Sequence, residues 1–80
     1  MDDFRTNLFE LILDQTGLGA GDLSDSSALM SSGLIDSFGL VTVLSLVEEL
    51  LGHEIPPADL TLENFDSPER IMAYVRQQSA

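Results

Sequence analysis

The sequence predicts an all-α protein: a small four-helix bundle of three main helices and one short one, with a long first loop. Three observations carry this prediction. Apolar residues recur at helical spacing in three separate segments, no segment reads as a convincing strand, and glycine or proline stands near the helix boundaries. Eighty residues make one domain, spanning 1–80, near the size at which a single hydrophobic core just suffices.

The first helix is predicted over 3–16. Phe4, Leu8, Leu11 and Ile12 form its apolar stripe, widened by Phe9 and Leu13. Asp2 and Asp3 suit its N-terminus, and Gly17 suits its end. Residues 17–36 hold four glycines and five serines, a loop composition, but also Leu18, Leu23, Leu29, Met30, Leu34 and Ile35. Such a loop is pinned to a core, and its length marks it as a candidate functional segment.

The second helix, 37–51, is the strongest periodic segment. Leu40, Val43, Leu44, Val47, Leu50 and Leu51 gather on one broad face, and Gly52 is a natural residue to follow the end. Pro56 and Pro57 forbid continuation. One short helix is predicted over 59–65, carrying Leu60, Leu62 and Phe65. Ser67 followed by Pro68 reads as an N-cap with proline at the first helical position. The last helix, 68–78, turns Ile71, Met72 and Val75 inward and ends in a frayed Gln-Gln-Ser-Ala.

Charge separates this chain from an ordinary small domain. Fourteen acids face three arginines, with no lysine, for a net charge of −11. Such a surface repels nucleic acid and anionic membranes, and it steers the protein towards basic patches on other proteins. With no cysteine there are no disulfides, thiolate metal sites or cysteine nucleophiles. The first residues do not suit a secretory signal and no apolar run is long enough to insert in a membrane, so a free-standing cytoplasmic domain is expected.

Catalytic constellations are hard to find. His53 is the only histidine and reads as an exposed turn residue. The acids between Asp22 and Asp36 do not meet calcium-loop spacing: from Asp22, the positions that need oxygen ligands, glycine and glutamate hold Ser24, Ser26, Ser27 and Gly33. Gly17, Gly19 and Gly21 lack the lysine and the preceding strand of a phosphate loop. No metal site and no enzymatic activity are expected.

Asp36 and Ser37 remain, at the start of the second helix. Asp or Ser before an apolar run is the ordinary N-cap signal. A helix N-terminus, with its unpaired N–H groups and positive dipole end, is also a good place for a phosphate ester. The helical wheel puts Phe38, Val41 and Leu46 outside the core sector, beside Thr42, Ser45, Glu48 and Glu49. A large aromatic rimmed by acids has the character of a docking surface; folding of Phe38 back over the long loop is the other reading.

Taken in order, helix, leucine-anchored loop, GLIDSFGLV, an apolar helix ending VEELL and then EIPPADLTLENFDSPERI resemble the acyl carrier protein and thiolation domain family, from Phe4 to Val75. The resemblance implies that a phosphopantetheinyl transferase modifies Ser37 with 4′-phosphopantetheine from coenzyme A, Asp36 being the motif acid and helix cap. It implies a carrier that holds an acyl or aminoacyl group as a thioester, loaded by an adenylate-forming ligase or acyltransferase and delivered as a monomer to downstream condensing or transfer enzymes. Phe38, Val41, Thr42, Ser45, Glu48 and Glu49 become the partner-binding residues.

Two departures narrow the kind of carrier. Phe38 and Gly39 stand where the family commonly has leucine and an acid, and Thr42 stands where an acid is frequent. The DSFG run is similar to D-alanyl carriers and other discrete carriers loaded by ligases, so a small acid or amino acid is the expected cargo. A carrier for polyketide or specialised fatty acid synthesis is the alternative, and an unmodified acidic adaptor for a basic partner is the alternative of another class. Gly39 costs its helix up to about 1 kcal/mol relative to alanine, so its small size is wanted, either beside the serine or for packing.

Overall fold

A computed structural model describes residues 2–79. It contains four α-helices: α1 (Asp2–Thr16), α2 (Ser37–Leu51), α3 (Leu62–Phe65) and α4 (Pro68–Ser79). Short 3-10 turns lie at Ala20–Asp22 and Pro57–Asp59, and there is no strand among the described residues.

Helix ends follow local chemistry. Gly17 and Gly52 adopt left-handed backbone at the ends of α1 and α2, where a Cβ would be strained. Their N–H groups donate to the carbonyls of Leu13 and Glu48. Ser67 caps α4 by accepting the Arg70 N–H at 3.2 Å, and Pro68 occupies the first helical position, where no N–H is needed.

The core joins Phe4, Leu8 and Ile12 of α1 to Val43 and Val47 of α2, closed by Phe65 and by Ile71, Met72 and Val75 of α4. Tyr74, not assigned inward from the sequence, is also buried; its ring tilts against Phe65 at 5.2 Å and its hydroxyl donates to Asp59 Oδ2 at 2.7 Å. Burial pushes the Tyr74 phenol up to about 12, with the Asp59 carboxylate adding to the effect. The first loop contributes Leu23, Leu29 and Ile35 to the same core. Its outer side is tied to α1 by Arg5, which lies over the Phe9 ring and donates to Asp25 at 3.0 Å.

Three expectations need correction. The segment assigned to one helix over 59–65 is two pieces, separated by an extended Thr61 (φ −126°, ψ 159°). Pro57 starts the 3-10 turn, and Asp59 is then pinned by Tyr74 on its carboxylate and by the Asn64 amide on its carbonyl, so the chain must re-enter helix after it. The frayed end of the last helix is instead regular to Ser79, whose hydroxyl donates to the Val75 carbonyl; Ala80 lies outside the described residues.

Finally, Leu50 is 50% exposed rather than core, whereas Leu46, placed outside, packs against the core. The helices α1 and α2 run antiparallel, with Gln15 beside Gly39 and Phe4 near Leu50. The first turn of α1 therefore ends the cover over α2, leaving an open groove of about 280 Å³ between Asp3, Phe4, Asn7, Leu46, Glu49 and Leu50.

Candidate functional site at the start of the second helix

Asp36 and Ser37 divide the tasks that the sequence left open between them. Asp36 is extended (φ −93°, ψ −172°), and its Oδ1 accepts the Gly39 N–H at 2.9 Å. Its carbonyl accepts the Leu40 N–H, the first bond of the helical ladder. Asp36 is thus the cap. Ser37 is exposed, and its hydroxyl makes no hydrogen bond among the described residues. No acid stands in the first turn of α2, so the positive end of the helix faces outward beside a free hydroxyl.

The approach to this corner is fixed by the end of the long loop. Gly33 takes a positive φ of 78°, and Ile35, buried, donates its N–H to the Leu29 carbonyl at 3.0 Å. Gly39 then packs against this loop. A Cβ built at Gly39 lies 2.5 Å from Ile35 Cγ2 and 3.0 Å from Gln15 Oε1, and Gln15 Nε2 donates to the Gly39 carbonyl at 3.2 Å. The smallness of Gly39 is used inward, for packing. A hollow of about 160 Å³ remains next to Ser37, lined by Gln15, Gly33, Leu34, Ile35, Asp36 and Gly39.

Phe38 is 84% and Val41 60% exposed, so Phe38 stands away from the loop. Thr42 and Ser45 sit on the same open face, but their hydroxyls turn back to the carbonyls of Phe38 and Val41. That leaves the face less polar than its composition suggests. Glu49 is exposed at the far end. Glu48 is half-buried and turned away: its carboxylate accepts the Ile55 N–H at 2.9 Å and so closes the turn after α2. Of the six residues assigned to partner binding, five share the open face and Glu48 serves the fold.

Sequence reasoning missed two features here. Leu60 and Leu62 are exposed and, with Met30, Leu40, Thr61 and Phe65, line an apolar hollow of about 250 Å³ on the flank of α2. Only the two prolines before them, which set that segment apart from the bundle, hinted at it. The other is Asp66, buried between α3 and α4, whose carboxylate receives hydrogen bonds from the loop before α2. No spacing rule links positions 35 residues apart, and no signal in the sequence marked it.

His53 is exposed, with Nδ1 2.9 Å from the Glu54 carbonyl. Among the described residues no group of acids and histidine is arranged to hold a metal ion.

Comparison with known proteins bears on this corner. Residues 6–75 match the family model described as a phosphopantetheine attachment site. A D-alanyl carrier protein of Abiotrophia defectiva is 42% identical over 52 residues, 65% of this chain and 66% of that protein, just under two thirds of its length. D-alanyl carrier protein 1 of Lactiplantibacillus plantarum is 31% identical over 75 residues, 94% of this chain and 92% of that one. The D-alanyl carrier protein of Lactobacillus acidophilus is 27% identical over 73 residues, 91% of each.

Proposed function

The chain belongs to the phosphopantetheine attachment-site family, and from that premise we propose that Ser37 is the residue that bears the arm. Membership makes the protein a carrier with covalently attached 4′-phosphopantetheine, a substrate of other enzymes and not a catalyst. When attached, the arm supplies the thiol that this cysteine-free chain lacks, and the cargo rides on it as a thioester.

The observation that carries the assignment is the unused Ser37 hydroxyl beside a cap that another residue supplies. Ser37 is exposed to an approaching enzyme. A phosphodiester on its Oγ sits at the N-terminal end of a 15-residue helix, where the dipole and unpaired N–H groups favour negative charge. Asp36 holds Gly39 and keeps the first turn closed whether the neighbouring hydroxyl is free or esterified.

We further propose an amino acid as cargo, of the kind named in the D-alanyl carriers, activated by an adenylate-forming ligase. The exposed Phe38 and Val41, with Leu60 and Leu62 on the flank and Glu49 at the rim, offer transferase and ligase an apolar contact with acidic surroundings. The net charge of −11 favours basic partners and disfavours self-association, consistent with a monomeric shuttle. Both charging steps draw on coenzyme A or ATP, so on this reading that stage belongs to the cytoplasm.

The test is intact-mass measurement after incubation with coenzyme A and a broad-specificity phosphopantetheinyl transferase. Wild type gains one phosphopantetheine and Ser37→Ala gains none; equal gain by Ser37→Ala refutes the assignment. The holo form is then offered D-alanine, L-alanine and short fatty acids with ATP and D-alanine ligases of the relatives' type. Loading of fatty acids alone refutes the cargo.

A further inference from the structure

Asp66 lies at the junction of α3 and α4, buried between Phe65 and Ser67. Its Oδ1 accepts the N–H groups of Met30 at 2.8 Å and Ser31 at 2.9 Å, and its Oδ2 accepts the Ser31 hydroxyl at 2.7 Å. Its own backbone carbonyl accepts the Leu29 N–H at 2.7 Å. A single residue therefore receives four hydrogen bonds from three consecutive loop residues. No arginine takes part: among the described residues the sole ion pair joins Arg5 to Asp25. The carboxylate is held by neutral donors, and those bonds, led by the Ser31 N–H and hydroxyl, keep its pKa below the usual range.

What this clasp holds is the run that delivers Ser37. Leu29, fixed by the Asp66 carbonyl, accepts the Ile35 N–H, and Ile35 lies beneath Gly39. Besides this strap, the first turn of α2 is tied by the Gln15 amide on the Gly39 carbonyl and by half-buried Leu40 against the core. Ser37 and Phe38 are exposed, Gly39 and Leu40 are half-buried, and the fully buried Val43 and Val47 come later. The core fixes the body of α2; the loop fixes its beginning.

Resting on the assignment of Ser37 as attachment residue, we infer that Asp66 is a positioning residue for arm attachment, its carboxylate holding Met30 and Ser31 and its backbone carbonyl Leu29, so that the strap to Ile35 presents Ser37 in one place. The role is distinct from merely keeping the chain folded, and kinetics separate the two. In the transfer reaction the carrier is the substrate. A smaller folded fraction lowers the concentration of competent substrate, which raises apparent KM and leaves kcat unchanged. A folded carrier with a misplaced serine still docks through Phe38 and Val41 but reacts slowly, which lowers kcat at similar KM.

The experiment measures kcat and KM for phosphopantetheine transfer from coenzyme A by a broad-specificity transferase, on wild type, Asp66→Asn, Ser31→Ala and Tyr74→Phe. Asp66→Asn keeps size but removes the charge that strengthens all three side-chain bonds and turns one acceptor oxygen into a donor, so the Ser31 hydroxyl must reverse its role or lose its partner. It should lower kcat about tenfold, the scale of one lost hydrogen bond to a charged group. Ser31→Ala removes only the Oδ2 contact and should lower kcat about two- to threefold, the scale of a partial loss. Tyr74→Phe removes a different tie, to Asp59, and should lower the unfolding midpoint while leaving kcat unchanged. Asp66→Asn with unchanged kcat and raised KM overturns the inference. Should Asp66→Asn fail to fold, Ser31→Ala decides, because Ser31 is exposed, and an unchanged kcat for it overturns the inference too. A wild type that takes no arm, or a modified Ser37→Ala, instead condemns the attachment assignment.

Discussion

Replacing Gly39 with alanine sets two effects of similar size against each other, and the structure decides the sign. Gly39 is inside α2 and does not have positive φ, so alanine suits the backbone. Helix propensity alone then predicts a gain of up to about 1 kcal/mol. Against it stands the new methyl, 2.5 Å from Ile35 Cγ2 and 3.0 Å from Gln15 Oε1. The glutamine end can swing away, losing its bond to the Gly39 carbonyl. Ile35 cannot yield as cheaply, because it is buried and β-branched side chains are stiff at χ1.

Overpacking of this kind costs about 1–3 kcal/mol, so the net effect is a loss of about 1 kcal/mol. For a domain of this size that lowers Tm by about 4–8 °C. Thermal and urea unfolding followed by circular dichroism measure it directly. An Ile35→Ala background should abolish the penalty and leave the propensity gain, giving a coupling energy of about 2 kcal/mol between the two sites. A higher midpoint for Gly39→Ala in the wild-type background would refute the reasoning: Gly39 would then be small for a reason other than the fit against Ile35.

Phe38→Ala should leave stability within about 0.5 kcal/mol of wild type, since the ring is almost wholly exposed, yet raise KM for the transferase or ligase; a large loss of stability would mean that the ring is buried. Tyr74 is the only tyrosine, so phenolate absorbance reports it alone, and its native titration should centre at about 12 rather than 10.0. Because the folded pKa is raised, the stabilisation is fully present below pH 10, begins to fall once the unfolded phenol ionises and is gone above about 12; a native midpoint at 10.0 would contradict its burial.

The parts of this fold that were legible in the sequence are those governed by local rules. Gly17, Gly52 and the Ser67–Pro68 pair mark helix ends because capping and backbone strain act over a few residues, and the bounds of α2 follow from them. The cap before α2 was legible for the same reason, with Asp36 or Ser37 as its candidates, whereas Ser37 as an attachment residue came from the family resemblance and not from a local rule. Leu50 and Leu46 were exchanged because a helical wheel gives direction but not where the neighbouring helix stops. The break at Thr61 and the Asp66 clasp depend on contacts with Tyr74 and with the distant loop, which no local pattern encodes.

The separation of Asp36 from Ser37 has a consequence for supply in the cell. Since the hydrogen bond that starts α2 belongs to Asp36, esterification of Ser37, as proposed above, removes no hydrogen bond seen among the described residues. The unmodified form then lacks no contact that the modified one gains from Ser37, and it is not singled out for proteolysis as a poorly folded form. On the proposed attachment, unmodified chains remain folded substrates until a transferase reaches them.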